Sequence, residues 1–290
     1  MTARLVALPL SLLVAGLGMG QPSRPPDLAT SEVVEAAAGY VAEYQRQLTS
    51  VIADELYTQD VVTQPLDPRM PRGRRLRSEL FFMFAPADHD WMAIRDVLTV
   101  DGNKVADRPD VRQALQMLPA ADVAAKFKEF NSRYNIGRTY RNFSEPTLSL
   151  LVLDDHHRGR FSFSLKRAER AGSVAVVTLE FTEKASPTLI HDPSRGPVFS
   201  NGEIVIEPES GRIHRAILTA KIDGGRLELT TTYSLDARLG IWVPSLFREQ
   251  YEHGIRSTER SFNSSFDYES ILCEARYTNF RRFATSIRIR

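Results

Sequence analysis

With a single cysteine, Cys273, in 290 residues, the chain can form no internal disulfide and no C-x-x-C redox or metal site. Neither charge sign predominates. The 37 Lys and Arg residues face 36 Asp and Glu, which removes any global electrostatic pull toward nucleic acid. There is no G-x-S-x-G elbow, H-E-x-x-H pair, Walker loop or G-x-G-x-x-G following a strand. No repeat of the ~20–50-residue kind is visible, which excludes solenoids and propellers. No carboxylate pair is spaced so that sequence alone assigns it acid–base work. These absences leave no predicted catalytic residue, metal or cofactor, and the chain reads as a non-enzyme. A hydrolase whose groups converge only in space stays open.

What is present begins with an export signal. Residues 1–20 carry one early positive charge, Arg4, then an apolar run and the small residues Gly16, Gly18 and Gly20. That is the n-region, h-region and cleavage-region order of a secretory leader. The apolar stretch, residues 5–19, is interrupted by Pro9 and falls short of the ~20 residues a spanning helix needs. The expectation is cleavage near Gly20, a mature chain with no membrane span, and a periplasmic or secreted location. Removing Arg4 leaves 36 charges of each sign. Residues 21–30, Pro-rich and polar, read as a disordered leader, and 31–290 as a single domain.

A helix is predicted with Thr30 or Ser31 as its N-cap, its apolar face formed by Val33, Val34, Ala37, Tyr40, Val41, Tyr44 and Leu48. Residues 51–57 read as a first strand. The Pro- and Arg-rich stretch 64–77 reads as a solvated connection; no aromatic residue interleaves with its arginines. Leu80, Phe81, Phe82, Met83 and Phe84 form the most apolar run of the mature chain, a strand buried on both faces. Residues 91–100 make the next strand. Helical spacing over 111–134 breaks at Pro119, with Gly137 as terminator and Ser144 as a later cap. Residues 147–153 are wholly apolar and fit a buried helix or a strand.

From Phe161 onward strand follows strand, over 161–166, 174–182 and a short edge at 188–191. Residues 202–251 read as four strands separated by turns at 208–211, 223–225 and 236–240. In the third of these, Leu227, Leu229, Thr231 and Tyr233 share one face. Two last strands are expected over 257–266 and 271–283. The fold class is α+β, a curved and mostly antiparallel sheet with a few helices.

Asp154, Asp155, His156 and His157 are the one run of metal-ligand residue types. Consecutive residues point in different directions, so a helix terminus explains the run better than a metal site. His89, between Asp88 and Asp90, reads as a polar turn residue without a partner nucleophile. Cys273 reads as a buried structural thiol.

Aromatic strands of this kind can line an apolar cavity. The candidate ligand-lining residues are Phe82, Phe84, Trp91, Leu227, Leu229, Tyr233, Trp242, Phe247 and Tyr251, with ordinary core packing as the alternative.

The order of leader, helix, strands, central helices and long meander, with the strand–turn–strand unit Ile204, Val205, Ile206, Glu207, Pro208, Glu209, Ser210, Gly211, Arg212, resembles the LolA/LolB-like outer-membrane lipoprotein-sorting superfamily. The resemblance implies a half-barrel lidded by helices that encloses an apolar cavity for acyl chains, with a lipid or lipidated protein as partner. The mature chain, at about 270 residues once the leader is removed, exceeds the typical carrier, the extra length falling over 107–153. No functional residue of that family matches a position here. The runs 95–102, 133–137 and 276–283 also resemble those of uncharacterised exported bacterial proteins, which imply no activity.

Overall fold

The computed structural model describes residues 29–283 except 87, 140, 142–144, 193–195, 223 and 257–265. The expected export signal and leader up to residue 28, the expected Ser144 cap and most of the strand expected over 257–266 lie outside the described residues.

Helix α1 (Thr30–Leu48) begins one residue earlier than predicted, with Ala29 at the N-cap and no side-chain cap. Its buried residues include Val33, Val34, Ala37, Val41, Tyr44 and Leu48, so the stripe at helical spacing is the face it buries. The strands β1 (Val51–Gln64), β2 (Gly73–Ala85), β3 (Asp90–Val100) and β4 (Asn103–Lys104) form a first meander. Asp101 and Gly102 turn between the last two at φ 50° and 86°, the positive angles a two-residue hairpin turn requires.

Helices α2 (Val111–Met117) and α3 (Ala120–Ser132) divide at Pro119 as the sequence predicts. Ser132 ends α3 well before Gly137, so that glycine is not its terminator. Residues Leu148–Leu153 form a 3-10 helix in which every residue is buried. It runs into α4 (Asp155–Arg158), capped by the Asp154 side chain on the His156 N–H.

The remaining strands are β5 (Phe161–Ala171), β6 (Val174–Glu183), β7 (Ile190–Asp192), β8 (Gly196–Val198), β9 (Ser200–Ile206), β10 (Ile213–Ile222), β11 (Gly225–Asp236), β12 (Ile241–Arg256) and β13 (Phe266–Arg282). Eleven strands form one antiparallel sheet, ordered β4-β3-β2-β1-β13-β12-β11-β10-β9-β6-β5. The short β7–β8 hairpin stands apart. The first and last strands pair in mid-sheet, from Val51 opposite Arg282 to Gln64 opposite Tyr268, and so fuse the two meanders.

Curvature follows from three rings. Tyr44 of α1 lies 6.1 Å from Trp91 on β3 and 6.1 Å from Tyr233 on β11. Those strands are five spacings apart in the sheet order, about 24 Å on a flat sheet. The sheet therefore curls around α1. Register shifts at Ile52/Asp54, Arg77/Ser78 and Thr232/Tyr233 supply the local bends that bulges introduce. Asn279 sits at φ 53° in the first of them, and the alternation shifts there so that Tyr277 and Phe280 both pack on Phe82. The α+β class and the open, curved antiparallel sheet agree with the expectation from sequence.

Two apolar clusters result. The larger fills the concave side and joins α1 and the 3-10 helix to inward residues of both meanders. The smaller lies on the other face, where Ile52, Phe81, Met83 and Ile94 meet Val111, Leu115, Val123 and Phe127 of α2 and α3. Residues 80–84 are buried on both sides for that reason.

Candidate functional site

Of the nine predicted lining residues, eight are buried in the concave cluster and Trp242 is half-buried against it. The ring neighbours of the buried eight include one another, α1 and β13. Phe82 meets Tyr277, Phe84 meets Trp91 at 5.3 Å, and Tyr233 meets Tyr44. Trp242 stands apart, with His214 at 4.7 Å and the Arg212 guanidinium over its ring. Phe84 alone of the nine lines one of the clefts described below.

A polar seam crosses the same concavity. Arg95 donates to both oxygens of Glu55, at 2.6 and 2.9 Å, and its guanidinium lies 4.3 Å over the Tyr57 ring. Tyr57 and Tyr251 each donate a hydroxyl to Glu249, at 3.1 and 2.6 Å. Gln59 accepts from Arg141 and from the Ile136 N–H. Glu269 accepts from Arg138 N, Thr139 N and the Thr139 hydroxyl. Burial pushes the Glu249 carboxyl above the ordinary glutamate range despite these donors, and lifts the Cys273 thiol to about 12. A cavity of about 30 Å³ lies against Tyr57, Arg95, Arg141 and Glu249, room for a water or two. The seam anchors the segment after α3 to the sheet. It also makes that part of the concavity unsuitable for an acyl chain, which would desolvate charge without repaying it.

A larger opening lies between α1 and the β2–β3 hairpin, a cleft of about 560 Å³. Ala38, Ala42, Phe84 and Pro86 give it apolar surface, while Gln45, Arg46, Thr49, His89, Asp154 and Asp155 add polar groups. Two further clefts, of about 580 and 530 Å³, border the β9–β10 region and carry Asn201, Thr219 and Arg226 in common. One sets Asp192 and Lys221 beside Pro197, Val198, Phe199, Ala220 and Ile222, and the other is lined mostly by polar residues, Glu180, Glu203 and Glu228 among them.

The rim of the α1 cleft gathers three of the six histidines. His89 Nδ1 is 3.5 Å from Asp154 Oδ1, its ring stacks on His156 at 4.7 Å, and its carbonyl is 2.8 Å from His157 Nε2. Asp154 Oδ2 accepts from Gln45 Nε2 at 2.9 Å, and Oδ1 accepts from the His156 N–H at 2.9 Å. His89 is in a turn, as the sequence predicts, and the fold gives it Asp154, His156 and His157 as neighbours. Only the fold brings it to a run 65 residues downstream in number, so no local signal could reveal the pair. Among the described residues, no group of three or more His, Cys, Asp or Glu is arranged to hold a metal ion.

His214 forms a second His–carboxylate pair, 2.8 Å from Glu207 Oε1. Burial alone would raise Glu207, but hydrogen bonds from His214 and Ser210 and the Arg212 charge outweigh it and hold the carboxyl below the ordinary value. Those donors occupy both oxygens, which suits a structural clasp of the β9–β10 turn. His191 and His253 lie away from the cluster, on β7 and β12.

No family model and no curated protein matches the chain. Among solved structures, an outer membrane lipoprotein-sorting protein domain from Vibrio parahaemolyticus aligns at 9% identity over 86% of this chain and 93% of its own, with a TM-score of 0.35. A DUF1329 family protein from Desulfovibrio piger aligns at 12% identity over 87% and 92%, also with a TM-score of 0.35. At that TM-score neither alignment carries an argument.

Proposed function

We propose that the protein is an exported binding protein for an apolar ligand, an acyl chain or a lipidated partner, taken up in the cleft between α1 and the β2–β3 hairpin. The observation that carries this reading is the cleft itself, about 560 Å³ with Ala38, Ala42, Phe84 and Pro86 on its walls. That volume lies within the ~300–1,000 Å³ range of small-molecule sites. Each methylene buried there contributes about 0.8 kcal/mol, so affinity needs apolar wall rather than a motif. Phe84 is the direct contact and Trp91 braces it from behind. The other predicted lining residues belong to the concave core, with Trp242 half-buried against it, and do not line the cleft.

The test is saturable uptake of a fluorescent fatty-acyl probe by delipidated protein. Ala42 is exposed on α1, so Ala42→Trp fills the cleft at little cost to the core. The expected result is binding by the wild type and its loss in the variant, with unchanged circular dichroism. Absence of saturable uptake by correctly folded wild type sinks the proposal.

One observation favours a second reading. α1 and the 3-10 helix already occupy the sheet's concave side, as an envelope scaffold with a filled core requires. That reading expects a partner protein, and no lipid, to co-purify from the native envelope.

A further inference from the structure

We propose that His89 and Asp154 form a general-base dyad that hydrolyses an ester bond of an amphiphile held in the α1 cleft; this rests on the binding reading above. The carboxylate comes first. Asp154 is 7% exposed and follows directly on the fully buried 3-10 helix. Gln45 holds one of its oxygens and the His156 N–H holds the other, so its orientation is set before any ligand arrives.

The imidazole is set as firmly. His89 has φ 50°, an uncommon conformation outside glycine that marks a position held by its surroundings. Its ring lies flat on His156, with 10° between the planes, and its carbonyl is held by His157. Nδ1 faces Asp154 at 3.5 Å, which leaves Nε2 as the basic nitrogen. Such contacts run long without ligand and tighten in the complex. The side chain is 42% exposed and lines the cleft, so ligand and water both reach it. Asp155 and Arg46 share the cleft, Asp88 and Asp90 flank His89 in sequence, and Arg158 pairs with Asp155.

The reaction balances with water alone. Nε2 accepts a proton from water as the water oxygen attacks the ester carbonyl carbon, and the C=O electron pair moves to oxygen. When the tetrahedral intermediate collapses, the C–O bond to the alcohol breaks and the imidazolium returns its proton to the departing alkoxide. One ester and one water become one carboxylic acid and one alcohol. Arg46, paired with Glu43, is the cationic side chain on the cleft and is the candidate to offset the charge that develops on the carbonyl oxygen. Among the described residues no serine or cysteine lines the cleft, and the Thr49 hydroxyl there donates to the Gln45 carbonyl, so water is assigned as the nucleophile. Asp154 acts through His89 and is a positioning residue.

The experiment measures hydrolysis of p-nitrophenyl butyrate, octanoate and dodecanoate against protein-free buffer, together with probe uptake. The wild type is expected to exceed buffer. His89→Ala is expected to lose about 10²–10⁴-fold and to regain part of the rate with added imidazole. Asp154→Asn is expected to lower kcat while KM holds. His191→Ala, away from the cleft, is expected to match the wild type. A wild type that takes up probe but leaves every ester at the buffer rate overturns the dyad and leaves the binding reading standing. Equal loss in His191→Ala and His89→Ala also overturns it. A wild type that takes up no probe overturns the binding reading itself.

Discussion

Gln45 donates its side-chain amide to Asp154 Oδ2 at 2.9 Å, and this buried bond joins α1 to the cap of α4 across 109 residues of sequence. The bond ties the wall of the cleft to its polar rim. Gln45→Ala leaves a buried carboxylate oxygen unpaired, which costs about 1–3 kcal/mol. Urea unfolding measures it. A loss below a few tenths of a kcal/mol would mean that Asp154 finds another partner.

Gly211 presses the β9–β10 turn against α1. It has φ 69°, and a Cβ there would stand 2.0 Å from the Ala36 carbonyl oxygen. Gly102 has φ 86° with nothing within 4 Å of the same hypothetical atom. Both Ala substitutions incur the left-handed backbone penalty of about 1–2 kcal/mol. Gly211→Ala adds a backbone collision that only movement of α1 relieves. It is therefore expected to lower Tm distinctly more than Gly102→Ala, and equal losses would mean the turn does not brace the helix.

The Glu55–Arg95 pair is a buried ion pair with both partners on the inner face. Removing one partner strands the other's charge at about 3–5 kcal/mol, whereas replacing both with apolar groups is often neutral. Glu55→Leu and Arg95→Leu should each destabilise strongly, and the double variant less than either. Simple additivity in the double-mutant cycle would contradict this.

Two glutamates titrate in opposite senses. Glu249 is raised by burial, so its favourable contribution is complete below the unfolded value near 4.3 and is lost as pH rises through the folded value. Glu207 is lowered, so its contribution is present above about 4.3 and is lost as pH falls through the folded value. Over an acid-to-neutral pH range, Glu249→Gln should therefore gain on the wild type as pH rises above about 4.3, and the deficit of Glu207→Gln should shrink as pH falls below about 4.3. Chemical unfolding across that range reads both signs, and a parallel wild-type and variant profile refutes the assignment.

The elements were legible wherever one face carries the pattern. Alternation in Leu227, Leu229, Thr231 and Tyr233 and the helical stripe of α1 both report burial directly. The unit Ile204 to Arg212 was legible as a turn, but its docking on Ala36 was not, because a contact between chain-distant backbones leaves no local trace. Glu55, Gln59 and Glu249 occupy inward positions among apolar neighbours. Alternation alone could have flagged them as buried polar groups. It could not have named Arg95 and Arg141 as their partners.

The sequence by itself determined α1, the four strands over 202–251, the break at Pro119 and the buried 80–84 run, since each follows from local periodicity or from backbone restrictions at proline and glycine. Only the tertiary structure decided that β1 pairs with β13, that the sheet curls enough for Tyr44 to touch Trp91 and Tyr233, and that His89 meets Asp154. The physical reason is sequence separation. Periodicity reports which face of an element is buried, and strand register with curvature determines what lies against that face.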